Sequence, residues 1–370
     1  MRKFKTQNPI IIGLVFFLII LLLPFFSYTR DITENPNRQS SQNEVRKVNL
    51  KEVMRFSDVP EKEIFFRRPW AIKLDDNGNI YIQDRPHILK FGPDGKFLVK
   101  MIKEGQGPGE MPDGYVGSLR DFFVAKNKVV AFSSYKALWF NEKGEFQEEK
   151  RVSIKGRADF IVTPDLNYYA FERIHPRPKE MQKVGPYKYQ MYLWRIIPDY
   201  KEKEMIYKWE FSGYIYGDGS FSFRGPRYFS IDSEILIVNI TDEYEFFSFD
   251  LKKGKIIKNF TRKYKRIKNQ RLTIYFQRGT IYHSDIYGFH YVKPKLWVVT
   301  STIDENGNPL IHSYDLKTGD MEEFYLMYPK SEDDIKRRHD YNFFAVANGF
   351  IYTIEQNSEG FYNIVKYRME

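Results

Sequence analysis

The 370-residue chain has no cysteine. That excludes disulfides, a thiolate nucleophile, Cys-ligated zinc and lipid attachment at an N-terminal Cys. Histidine is scarce: His87, His175, His283, His290, His312 and His339 are all there are, and none forms a His-x-His or His-x-x-x-His pair. No Gly-x-Ser-x-Gly elbow, His-Glu-x-x-His or P-loop occurs. Beyond residue 50 no stretch sustains a helical period. Long apolar runs are missing too, with one exception. Ile10 to Phe26 carries no charge and follows Arg2, Lys3 and Lys5.

At about 1.5 Å per residue this run is just long enough to cross a bilayer. A cleaved signal peptide is the rival reading, because both begin with basic residues and an apolar core. The length of the run and the poor small-x-small match at Ser27 and Thr29 favour an anchor. The expected layout is a cytoplasmic basic tail (1–8), a transmembrane anchor or uncleaved signal (9–28), a flexible Asn/Ser/Gln-rich linker (29–44) and a body (45–370). The body is then extracytoplasmic, in a periplasm or at a cell surface. A large core lets it fold there without disulfides.

What the chain has in quantity is aromatic residues, 17% of the total with 27 Tyr and 32 Phe, which suits pleated, half-buried strands. These fall into a repeat. Pro69 to Leu74, a turn at Asp75 to Asn79, Ile80-Tyr81-Ile82, Ile88 to Phe91, a turn at Gly92 to Lys96, and Phe97 to Ile102 make one four-stranded unit. Its third strand recurs at 137–140, 193–196, 246–249, 311–314 and 364–367. Its second strand recurs at 129–132, 168–171, 235–238, 296–299 and 350–354. Six copies at roughly 50-residue spacing predict an all-β, six-bladed β-propeller of four-stranded antiparallel blades. The sixth copy ends after three strands, while the strand-like segment from Arg46 to Phe56 precedes the first. Pairing that segment onto the last blade closes the ring and removes two sheet edges.

The first copy resembles the NHL repeat, through Pro69, Ala71, Ile72, Asp75, Gly78, Asn79, Ile80, Tyr81, Asp84, His87, Ile88 and Phe91. It departs where Pro86 stands at the usual Asn and where Ile88 follows His87 without an Arg. Gly105-Gln106-Gly107-Pro108-Gly109-Glu110 is similar to the inter-blade loop of exported bacterial six-bladed propellers of this NHL-like group. Blades two to six match only as generic strands and turns. The resemblance implies the fold; the group mixes binding scaffolds with some lyases and lactonases, so it implies little about activity.

Ligand sites in a propeller gather at one mouth of the central channel. Arg67, Arg68, Trp70, Arg120, Asp121, Arg227, Tyr228, Asp340, Tyr341 and Asn342 recur where inner strands begin. Glu172, Arg173 and His175, and Asp285 with His290, fall nearby. These residues make either a polar, partly cationic funnel for an acidic or sugar-like ligand, or structural ion pairs between blades. The Gly105–Glu110 loop reads as a crossover between blades that could also offer backbone amides to an anion. No metal or other cofactor is predicted, although a His–carboxylate set from several blades leaves room for channel-bound calcium or another divalent ion.

Net charge is +10, and ten basic residues without one acid lie between Lys252 and Arg271. That stretch is either a lysine-guarded edge strand or a surface for anionic lipid or glycan. Nucleic acid is not an expected partner outside the cytoplasm. The reading is a monomeric, membrane-anchored ring that binds or scaffolds a protein or carbohydrate. The alternative is a metal-dependent hydrolase or lyase, lactonase-like or amidating-lyase-like, working in the channel.

Overall fold

The computed structural model describes residues 45–370, apart from 113–117, 134, 153–156, 175–184, 198–201, 216–225, 269–281, 331–334 and 338–343. The expected tail, anchor and linker over 1–44 lie outside the described residues. Among those described, no helix is long and apolar enough to cross a membrane.

Six antiparallel blades follow one another along the chain, the last two joined in one continuous sheet. Blade one is Pro69–Leu74, Ile80–Asp84, His87–Phe91 and Phe97–Met101. Blade two is Asp121–Ala125, Lys128–Phe132, Lys136–Phe140 and Phe146–Arg151. Blade three is Arg157–Val162, Tyr168–Ile174, Gly185–Ile196 and Lys203–Ile215. Blade four is Arg227–Ser230, Ile235–Asn239, Glu245–Asp250 and Lys255–Thr261. Blade five is Ile286–Val292, Lys295–Ile303, Pro309–Asp315 and Met321–Met327. Blade six supplies Phe344–Ala347, Phe350–Gln356 and Tyr362–Met369. Every second and third strand read from the repeat is present.

The missing outer strand of blade six comes from the N-terminal side. Leu50 to Phe56 pairs antiparallel with Met369 to Ile364, as the repeat predicted. The same strand does something the repeat did not predict. Its first four residues, Arg46 to Asn49, pair in parallel with Phe324 to Met327 of blade five. One strand therefore stitches two blades together along the perimeter, and no open edge is left between them.

Packing explains why the second strands read as unbroken apolar runs. Side chains alternate between the two faces of a strand, and in a propeller both faces meet a neighbouring blade. Ile80 and Ile82 pack toward blade six, with Tyr352 and Ile354, while Tyr81 packs toward blade two, with Phe122 and Leu138. The same alternation sends Val129 and Ala131 to blade one, and Val130 and Phe132 to blade three. Six such cores close the circle, the last joining Trp297 and Phe324 of blade five to Phe344 and Tyr367 of blade six.

The hairpin turns are built as their residues require. Asp75 Oδ1 accepts the amides of Asn77 and Asn79 at 3.0 and 2.9 Å, and Gly78 takes φ +79°, which a side chain would resist. Asp304 repeats the arrangement with Asn306 and Asn308 in blade five.

Candidate functional site

Strand one begins, and strand two ends, at the same face of the ring. The register sets Pro69 opposite Asp84, Arg227 opposite Asn239 and Ile286 opposite Thr300. Arg68, Arg120, Glu172, Arg173, Arg227 and Asp285 therefore sit at strand ends on that face, whereas His290, opposite Trp297, lies toward the other end of its strand. What they do there differs from blade to blade.

In blades three to five the described mouth charges are held by partners within the ring. Glu172 is buried and accepts from Lys203 Nζ at 2.7 Å; Arg173, also buried, donates to Asp159 at 2.8 Å. Arg227 donates to Ser284 Oγ at 2.7 Å, and Ser284 donates in turn to Asp242 at 2.6 Å. The Tyr228 hydroxyl crosses to blade three and donates to the Phe160 carbonyl at 2.7 Å. Asp285 is buried, which pushes its carboxyl above the usual range against the pull of Arg266, 3.3 Å away. The two blade-three pairs brace that blade internally, whereas the Arg227, Tyr228 and Asp285 contacts tie blade four to its neighbours.

The blade one side is different. Asp84 lies below the surface and accepts the amides of Arg67 and Arg68 at 3.0 and 2.6 Å, with burial raising its pKa against those two bonds. Both arginine side chains stay exposed, and no ion pair holds either of them among the described residues. Beside them the Arg85 guanidinium lies 5.6 Å from the centre of the half-buried Trp70 ring, a cation–π stack. Gln83 reaches across to the Leu119 carbonyl at 3.3 Å, next to Arg120, and its Oε1 is buried without a partner. Asp121 is drawn away from this group by Lys73 at 2.8 Å. Arginines from two blades thus share one corner with an aromatic face.

The histidines are set into packing. His87 Nδ1 meets the Ile102 carbonyl at 2.7 Å, and His283 Nδ1 meets the Tyr287 hydroxyl at 3.0 Å. His290 is buried against Phe344, so it stands away from Asp285; burial drops its pKa to about 3. His312 is buried against the Tyr244 hydroxyl at 2.6 Å, and burial, aided by Arg262, likewise lowers it to about 3. Among the described residues no three His, Asp or Glu side chains gather as a metal site. His175, His339, Asp340, Tyr341 and Asn342 lie outside the described residues.

In the Gly105–Glu110 loop the three glycine amides face acceptors of the chain itself rather than an anion. Gly107 N donates to Glu110 Oε2 at 2.9 Å, Gly109 N to Glu149 Oε2 at 3.2 Å and Gly105 N to the Met111 carbonyl at 3.1 Å. A Cβ on Gly105 would fall 2.1 Å from Glu110 Oε2. The loop is a tight crossover wrapped around its own carboxylate.

Two features escaped the sequence reading. Strands three and four of blade three outrun their second strand: the pairs from Gly185–Ile215 to Tyr189–Phe211 lie past Ile174, which ends opposite Gln190. This ribbon rises about 16 Å on the mouth side. Its Tyr189 stacks on Phe211 at 5.2 Å and packs on Tyr187 at 5.7 Å. Alternating Tyr187, Tyr189 and Met191 was the available signal. The other feature is Glu355, buried at the end of strand two of blade six. It accepts from Arg337 Nε at 2.7 Å, Tyr367 Oη at 2.6 Å and Arg55 Nη2 at 3.3 Å. An acid at the end of strand two, as at Asp84 and Glu172, was the readable hint.

A family described as a 6-bladed beta-propeller matches residues 34–213. No curated protein matches the chain by sequence. Among solved structures, a protein described as exported, from Bacteroides fragilis, aligns at TM-score 0.53 with 14% identity, covering 88% of this chain and 95% of its own. A gluconolactonase from Xanthomonas campestris aligns at TM-score 0.43 with 12% identity, over 82% of this chain and 88% of its own. A Bacteroides caccae protein of unknown function aligns at 0.42 with 11% identity, over 71% and 84%. Its own topology and the family match agree that this chain is a six-bladed β-propeller.

Proposed function

We propose that this chain is a membrane-anchored, extracytoplasmic binding or scaffolding module of the NHL-like kind, which presents one mouth of its ring to a protein or carbohydrate partner. The observation that carries this reading is the contrast around the mouth. In blades three to five the described mouth charges are held by partners within the ring, whereas Arg67 and Arg68 stand exposed beside the Arg85–Trp70 stack. A group that works by proton transfer needs a pKa near the working pH. The buried His290 and His312 are far from it, at about 3. Fixed donors beside an aromatic face suit recognition of an acidic or sugar-like surface. The apolar run at Ile10–Phe26 supplies the anchor, and the exported description of the Bacteroides fragilis protein agrees with that side of the membrane.

The absence of cysteine makes a direct test practical. A photo-crosslinker on Arg68→Cys would sit at the mouth; one on Asp76→Cys would sit in the turn between strands one and two, on the opposite face. Crosslinking in the intact envelope should give an adduct of discrete mass from the mouth only. Adducts of the same pattern from both faces, or none from the mouth, would reject the proposal.

A further inference from the structure

We propose that the perimeter of blade four is a docking surface for an anionic phospholipid bilayer, seated beside the point where the tether enters the ring. This rests on the anchored reading above and adds the orientation of the ring.

The outer strand Lys255–Thr261, the turn before it and the segment after it carry Lys252, Lys255, Lys263, Lys265 and Lys268, all exposed, with Ile257 at 52% exposure among them. Four neighbouring acids are already engaged. Asp250 holds Lys253, Asp285 holds Arg266, Glu323 holds Arg262 at 3.3 Å, and Glu322 pairs with Lys295 and Arg46. Five lysines are left as surplus positive charge around an apolar side chain. That is the composition that interfacial docking uses.

Position singles out the bilayer from other anionic surfaces. The chain enters the ring at Arg46, which pairs opposite Phe324 on the outer strand of blade five and lies 3.8 Å from Glu322. The next residue, Glu323, holds Arg262, from which the lysine segment continues. Tether and patch thus meet the same outer strand at adjacent residues. Roughly 18 residues separate the apolar run from Val45, a tether that can reach no further than about 60 Å even fully extended. An anchored ring therefore meets anionic headgroups at high effective concentration, even where each lysine is weak alone. Docking by the perimeter leaves both faces of the ring open, so the mouth remains available to a partner.

The test uses the full chain with a single fluorophore on Ile257→Cys, reconstituted into vesicles that carry a headgroup quencher. One set is phosphatidylcholine alone; the other contains about one-third phosphatidylglycerol. Docking predicts at least about a three-fold stronger quenching in the anionic set. It should be lost near 1 M salt, where screening acts within about 3 Å, and lost when Lys252→Glu, Lys255→Glu, Lys263→Glu and Lys265→Glu are combined. All four sites are exposed, and an unchanged melting temperature would establish that the variant is folded. Equal quenching in both lipids, none in either, or quenching that survives charge reversal would overturn the proposal. Flotation separates it from the anchor: a chain that floats with anionic vesicles only has lost the anchor reading and kept the docking one.

Discussion

Arg55 Nη2 lies 3.3 Å from the buried Oε2 of Glu355, although 300 residues separate the two in sequence. Arg55 sits on the strand that completes blade six, and Glu355 ends that blade's second strand. Arg337 and Tyr367 donate to the other carboxylate oxygen at 2.7 and 2.6 Å. The join between the two ends of the chain thus has a charged centre.

Glu355→Ala should be among the most destabilising single changes in the protein. It leaves Arg337 and the Tyr367 hydroxyl without their partner in a buried place, at a cost of about 3–5 kcal/mol. Arg55→Ala should cost only about 1 kcal/mol, since Arg55 is partly exposed and screened by solvent. Deleting residues 45–56 should abolish cooperative unfolding altogether. Denaturant melts of the three variants check the order; an Arg55→Ala loss matching that of Glu355→Ala would refute this account.

Acid sensitivity should trace to His290 and His312. Both have folded pKa values of about 3, below the ordinary 6.5, because burial opposes their charging. Folding therefore favours the neutral ring. Their contribution is complete above pH 6.5 and is lost as pH falls toward 3, at up to about 1.4 kcal/mol per pH unit for each group. Asp84 and Asp285, raised by burial, work in the opposite sense, so the informative quantity is a difference. His290→Leu should flatten the stability–pH slope between 6 and 4 by about one proton. An unchanged slope would mean that His290 charges without cost.

Neighbouring blades are held by stacked rings as well as by charge. Phe132 of blade two and Phe160 of blade three lie parallel, 4.4 Å apart and 12° from coplanar. Phe132→Ala should cost about 3–5 kcal/mol through the cavity that it opens. Tyr228→Phe removes the bond to the Phe160 carbonyl while keeping the ring, and should cost about 1 kcal/mol. Thermal melts of both variants should rank them in that order.

A metal-free binding ring, as proposed above, should keep its melting temperature on exhaustive chelation. Native mass spectrometry before and after exhaustive chelation checks this. A stoichiometric ion whose removal lowers the melting point would turn attention to a metal-dependent hydrolase or lyase.

The strand order of the blades was legible in the sequence because it is written locally. Ile80-Tyr81-Ile82 alternates between two neighbouring blades, Asp75 and Gly78 build their own turn, and the same pattern returns six times. Alternation and turn chemistry are properties of a few adjacent residues, so one sequence suffices to read them. Even the closing strand followed from counting, since the last blade lacked one.

The chemistry of the mouth was decided by tertiary structure. Arg173 and Arg68 look alike in sequence, yet one is buried on Asp159 and the other is exposed. Gly107 and Gly109 look free to bind an anion until Glu110 and Glu149 occupy their amides. His290 follows Asp285 by five positions but packs on Phe344 of the next blade. Partners such as Arg55 and Glu355 come from opposite ends of the chain, and only ring closure makes them neighbours. Which charges neutralise one another and which remain for a ligand depends on those long-range distances, and no local pattern encodes them.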